Sequence, residues 1–135
     1  MIQKVSSGSP WEDVVGYSLA IRVGNLVEVA GTTAMDGEML IGKDDVYEQT
    51  IFRVKKIEKA LLEVGATLKN VIRARMYVTN IDDWEKVGKA HAHYFSTIKP
   101  VATMVQVSKL VNADLFVEIE MTALIDYLYC GLIAY

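Results

Sequence analysis

The chain has 135 residues, a net charge of −3, a hydrophobic fraction of 52% and one cysteine, Cys130. That composition excludes a disordered chain, an internal disulfide and a cysteine-rich zinc site, and its acidic balance argues against a nucleic-acid surface. No apolar run reaches the ~18–20 residues of a membrane span, and the N-terminus lacks the apolar core of a signal peptide, so a soluble cytoplasmic protein is expected. In chain order, Ile2–Ser6 reads as an edge strand, broken by Ser7-Gly8-Ser9-Pro10. Tyr17–Val23 alternates, with Tyr17, Leu19, Ile21 and Val23 expected on one face and Ser18, Ala20 and Arg22 on the other. Gly24-Asn25 then turns the chain into Leu26–Ala30, where Val27 and Val29 face the core and Glu28 faces away. Gly31 to Asp45 is a loop that could enclose a small irregular strand.

Asp44 or Asp45 caps a helix whose apolar stripe is Tyr47, Ile51, Val54, Ile57, Leu61 and Val64, with Gly65 as its stop. Val71–Thr79 is a strand, with Ile72, Ala74, Met76 and Val78 inward and Arg73, Arg75, Tyr77 and Thr79 outward. Asp82 or Asp83 caps a second helix to about Thr97, carrying Trp84, Val87, His91, Tyr94, Phe95 and Ile98 inward. Two strands close the pattern, Val101–Val107 and Leu115–Ala123, joined by a polar turn around residues 111–114. In the second, Glu118, Glu120 and Thr122 alternate with Val117, Ile119 and Met121, which places two carboxylates together on one face. The tail from Leu124 to Tyr135 is apolar and aromatic, and its structure is not legible.

The order β-β-β-α-β-α-β-β predicts a single α+β domain over residues 1–135, one sheet with two helices on one face. The uncovered face would carry Arg22, Glu28, Arg73, Arg75, Gln106, Glu118 and Glu120, a nearly balanced set suited to cross-strand ion pairs or to a polar cavity between subunits. Glu118 is the candidate water-activating carboxylate; its bland alternative is an ion-paired strand face. His91 and His93 stand i, i+2 on a helix, about 200° apart, so they do not grip one metal ion. Cys130 has no basic neighbour in its segment, and Ser18 and Thr32 have no identifiable base, so neither a reactive thiol nor a serine triad has support.

From about Tyr17 to Ala123 the chain resembles the reactive-intermediate deaminase family, RidA or YjgF. The resemblance rests on Tyr17-Ser18, Val23–Asn25, AGTTAMDGE at Ala30–Glu38, Gln49 and Gly65 of the first helix, VIRARMYVTNIDDW, the HYF of the second helix, and the P-x-x-T…VEIE-x-x-A ending. It implies a chorismate-mutase-like fold and a homotrimer, with small-molecule clefts between subunits. It also implies hydrolysis of imines or enamines such as 2-aminoacrylate, with no metal or cofactor. The family glutamate falls on Glu118, the family tyrosine on Tyr17, and the cleft-lining glycine segment on Gly31 and Thr32.

The substrate-gripping arginine of the family does not carry over. Pro100-Val101-Ala102-Thr103 places Ala102 at its position; Gly88 and Met104 are further departures, from asparagine and from the cysteine of some members. Losing a charged hydrogen bond of about 1.5–3 kcal/mol weakens binding of a small 2-imino acid roughly 10- to 150-fold. Weak or absent 2-aminoacrylate deamination is therefore expected. Arg73 and Arg75, on the face expected to hold Glu118, are candidates to replace the anchor, with Arg75 the one to test; the favoured alternative is that they neutralise Glu118 and Glu120, and Thr103 and Thr32 offer hydroxyls. A non-catalytic ligand sensor or a chaperone-like, protein-binding trimer is the alternative from another class; an endoribonuclease fits the charge balance less well.

Overall fold

The structure, a computed structural model, describes residues 1–32 and 34–126, apart from the side chain of Thr32. The remaining residues, among them Cys130 and most of the apolar tail, lie outside that description. In chain order the elements are β1 (Ile2–Val5), α1 (Trp11–Val15), β2 (Ala20–Val23), β3 (Leu26–Thr32), β4 (Met35–Asp36), β5 (Met39–Leu40), α2 (Val46–Glu63), β6 (Val71–Val78), α3 (Trp84–Phe95), β7 (Val101–Gln106) and β8 (Val117–Leu124). Six strands form one sheet in the order β1-β2-β3-β8-β6-β7, and β4 and β5 form a separate two-stranded ribbon within the expected loop. α2 lies against β3 and β8, and α3 packs beside α2, so both long helices cover one face. Among the described residues, no helix is long and apolar enough to cross a membrane.

The last two strands are not neighbours. β7 pairs in parallel with β6, and β8 runs antiparallel between β3 and β6. Two alternating segments joined by a polar turn read as a hairpin. The β6–α3–β7 crossover instead places β7 at the sheet edge, and residues 107–116 carry the chain back past β6 to the centre. The bridging segment is anchored at both ends: the Val107 amide donates to the Val78 carbonyl and the Thr79 amide to the Phe116 carbonyl.

β8 behaves as its pattern dictates. Val117, Ile119, Met121 and Ala123 are buried against the helices, and Glu118, Glu120 and Thr122 face the other way. On β6 the inward set is Val71, Ala74, Met76 and Val78; Ile72, expected inward, is exposed. A register shift between Val71 and Arg73 inserts the extra residue that turns Ile72 out.

The face assignment of β2 is reversed. Ala20 is buried opposite Val5 and Val29, while Ile21 shares the open face with Glu28. Arg22 therefore points to the helix side, not to the open face. Its guanidinium donates to the Val64 and Gly24 carbonyls, the former at the C-terminal end of α2, where carbonyls lack helical donors and a cation is favoured.

α2 starts where expected, the Asp45 side chain accepting from the Glu48 amide, and it is followed by Gly65 at φ 83. Its buried face, however, includes Gln49, Thr50 and Arg53. Gln49 pins three segments: its amide donates to the Gly42 and Asp114 carbonyls, and its oxygen accepts from the Phe116 amide. A Cβ at Gly42 would come within 2.8 Å of the Gln49 backbone nitrogen, so that position requires glycine. In α3, Val87, Ala90 and Phe95 are buried, whereas Trp84 is exposed. His91 is half-buried against the Phe95 ring, 4.7 Å between centroids.

Candidate functional site

On the open face the register brings polar side chains of three strands together. Tyr77 lies opposite Glu118, Arg75 opposite Glu120, and Arg73 opposite Thr122; on the other side Thr122 lies opposite Glu28. The Tyr77 hydroxyl reaches diagonally to donate to Glu120 at 2.7 Å, a bond that raises the phenol's pKa because it stabilises the protonated form. Arg75 approaches the same Glu120 oxygen at 3.8 Å, with both side chains substantially exposed. Thr122 donates to the Glu28 carboxylate at 3.0 Å. Of the ion pairing expected of this face, the described residues show one pair, Arg75 with Glu120; the other carboxylate contacts are hydrogen bonds from Tyr77 and Thr122.

Glu118 is held differently. It folds over Gly31 of β3, so closely that a Cβ there would lie 2.9 Å from the Glu118 Cδ. Burial raises the Glu118 pKa; Arg53 pulls it back down, and Glu120 pushes it up again. Arg53 is fully buried on α2, and burial lowers its pKa to about 9 against the pull of Glu118, which leaves it protonated at neutral pH. One helical turn further, Lys56 donates to the Met35 carbonyl at 2.6 Å, its pKa lowered by burial and by Arg53. A buried cation thus stands behind the carboxylate that faces the open side.

Gly31, Glu118, Glu120, Tyr77, Lys109 and Leu110 line an open hollow of about 380 Å³. Beside it, a second hollow of about 360 Å³ lies over β2 and β3, with Ile21, Ser18 and Glu28 in its walls and Glu120 shared between the two. The first hollow can hold a small polar molecule against a carboxylate of raised pKa, a group able to take and return a proton. Among the described residues, no group of three or more histidines, cysteines or carboxylates is placed to hold a metal ion.

Of the residues singled out from the sequence, Gly31 and Glu118 meet in this hollow. Arg75 lies beside it, turned to Glu120, and does not line it. Thr103 is exposed on β7, paired in register with Arg75. Tyr17 is exposed ahead of β2, next to Ser18 of the second hollow. Thr32 has its backbone in β3, and its side chain is outside the described residues. Ala102 pairs with Ala74 and does not line the hollow. Sequence reasoning missed Arg53 and Lys109. Arg53 carried a signal, since it falls at helical spacing between Gln49 and Ile57; Lys109, in a polar connection, carried none.

Residues 9–125 match the model of a protein family described as endoribonuclease L-PSP. An uncharacterized protein of Streptomyces coelicolor is 38% identical over 122 residues, 90% of this chain and 91% of that protein. A RutC family protein of Pyrococcus abyssi is 37% identical over 108 residues, 79% of this chain and 84% of that one. Among solved structures, a Mycobacterium tuberculosis member of the YjgF family has a TM-score of 0.85 at 46% identity, covering 93% of this chain and 100% of its own. A Yersinia pestis protein of the Rid family has a TM-score of 0.80 at 26% identity, with coverage of 93% and 100%. The expected α+β, chorismate-mutase-like architecture is the one observed.

Proposed function

The chain belongs to the endoribonuclease L-PSP family, the RidA/YjgF proteins, and from that premise we propose that it is a cofactor-independent hydrolase of a small imine, enamine or related carbonyl compound held beside Glu118. The observation that carries this reading is the half-buried Glu118 carboxyl, of raised pKa, packed on Gly31 in a hollow sized for a metabolite. Glu118 takes a proton from water as the water oxygen bonds to the imine carbon. That proton passes to nitrogen to give a carbinolamine; Glu118 then takes the carbinolamine hydroxyl proton and delivers it to the same nitrogen as the carbon–nitrogen bond breaks, and a carbonyl compound and ammonia leave. Atoms balance without metal or redox partner.

The hollow is open on one side, and exposed Val101 and Val105 lie along the β7 edge. Both features suit a homotrimer in which a neighbouring subunit closes the cleft. Ala102 supplies no clamp, so 2-aminoacrylate is a poor substrate. The chain's net charge of −3 and the two carboxylates in the hollow disfavour a polyanionic RNA strand, which argues against ribonuclease action. Ammonia release from freshly generated 2-aminoacrylate tests the reading. The expected rate is about 10- to 150-fold below that of arginine-bearing relatives and is lost in Glu118→Gln. A Glu118→Gln variant as active as the parent overturns it in favour of a non-catalytic sensor.

A further inference from the structure

Lys109 stands in the hollow with Glu118 and Glu120, yet among the described residues it makes no ion pair or hydrogen bond. The other polar groups there are engaged. The Tyr77 hydroxyl donates to Glu120, Arg75 approaches the same carboxylate, and Glu118 has Arg53 behind it. An ammonium on a flexible stem, exposed and facing two carboxylates, is the donor left for an incoming ligand.

We propose that Lys109 is the residue that selects the ligand, by pairing with a single carboxylate group on it, and that Arg75 does not take this role. The proposal rests on the hydrolase reading above only for the orientation it gives the ligand: carboxylate toward Lys109, reactive carbon toward Glu118. The charge balance narrows the class. One ammonium offsets one negative charge and the two carboxylates in the wall oppose a second, so a monoanion is favoured over a dianion such as phosphate. A lysine is a point charge and not a planar fork, so it fixes the carboxylate less rigidly than an arginine clamp and admits anions of more varied shape.

Pyruvate serves as the probe, followed by amide chemical-shift titration, with methyl pyruvate as its uncharged counterpart and inorganic phosphate as the dianion. Pyruvate is expected to bind the full chain at millimolar concentration and to shift amides of residues 107–110. Lys109→Ala weakens it about tenfold, Lys109→Arg restores most of the loss, and Arg75→Ala leaves it unchanged. Methyl pyruvate and phosphate bind more weakly and do not respond to Lys109. Lys109 is exposed, so these variants keep the fold. The proposal is overturned if pyruvate fails to bind, if Lys109→Ala binds it as the parent does, or if Arg75→Ala carries the loss. None of these outcomes depends on turnover, so the hydrolase reading stands or falls separately on Glu118→Gln.

Discussion

Glu118 and Glu120 leave β8 on the same face two residues apart, and their surroundings differ in kind. Glu120 is a surface acid: a phenol donates to it at 2.7 Å and an arginine approaches at 3.8 Å, both from β6. Glu118 is set deeper, pressed on the backbone at Gly31, with a buried guanidinium on α2 as its counter-charge. The neighbouring strand supports one carboxylate and the helix layer behind the sheet supports the other. Strand alternation assigns both to a face; depth and partner come from β3, where glycine leaves room, and from α2, where an arginine takes a core position.

The most disruptive way to break this contrast is Arg53→Met. It leaves Glu118 without its counter-charge while keeping most of the buried volume. Removing one member of a fully buried pair costs about 3–5 kcal/mol; Glu118 retains access to water, so about 2–4 kcal/mol is expected from urea unfolding at neutral pH. The sign of its pH dependence follows from Glu118. A carboxyl whose folded pKa is raised contributes stability below its unfolded pKa and loses that contribution as pH rises through the folded value. Arg53 limits this loss, so the deficit of Arg53→Met shrinks in acid, where Glu118 is protonated, and widens toward neutrality. An equal deficit at both ends of the range contradicts the pairing.

Gly31→Ala sharpens the contrast from the other side. The new methyl meets the end of a flexible side chain, so Glu118 swings aside and stability changes by about 1 kcal/mol or less. The hollow loses its carboxylate, and pyruvate binding and any ammonia-releasing activity fall together. Unchanged binding and turnover would show that the position of Glu118 is immaterial. The smallest effects belong to Glu120. Tyr77→Phe removes one hydrogen bond and costs about 1 kcal/mol, and Arg75→Ala removes an exposed pair worth about 0–1 kcal/mol. If either variant destabilised the chain as strongly as Arg53→Met, the two glutamates would not differ as described.

Much of this layout was legible in the residues themselves. The β8 alternation, the Asp45 cap and the Gly65 stop each rest on local chemistry, and the structure places them accordingly. What escaped depends on contacts distant in sequence. Arg53 looks like a solvent residue by type, although its helical spacing sets it between Gln49 and Ile57 on the buried face. Arg22 was assigned to the wrong face because β2 starts at Ala20, not Tyr17, and its side chain is drawn to the open carbonyl end of α2. The pairing of β8 between β3 and β6 is a matter of crossover topology, which period-2 counting does not encode. Lys109 could be found only once the connection past β6 had brought it to the hollow.

A site-resolved titration of the glutamate carboxyl carbons by NMR, in the parent and in Arg53→Met, tests the central claim most directly. Glu118 should titrate above the ordinary carboxylate range in the parent and higher still in the variant. A Glu118 that titrates as an ordinary surface carboxylate, or that does not respond to the loss of Arg53, would contradict the account.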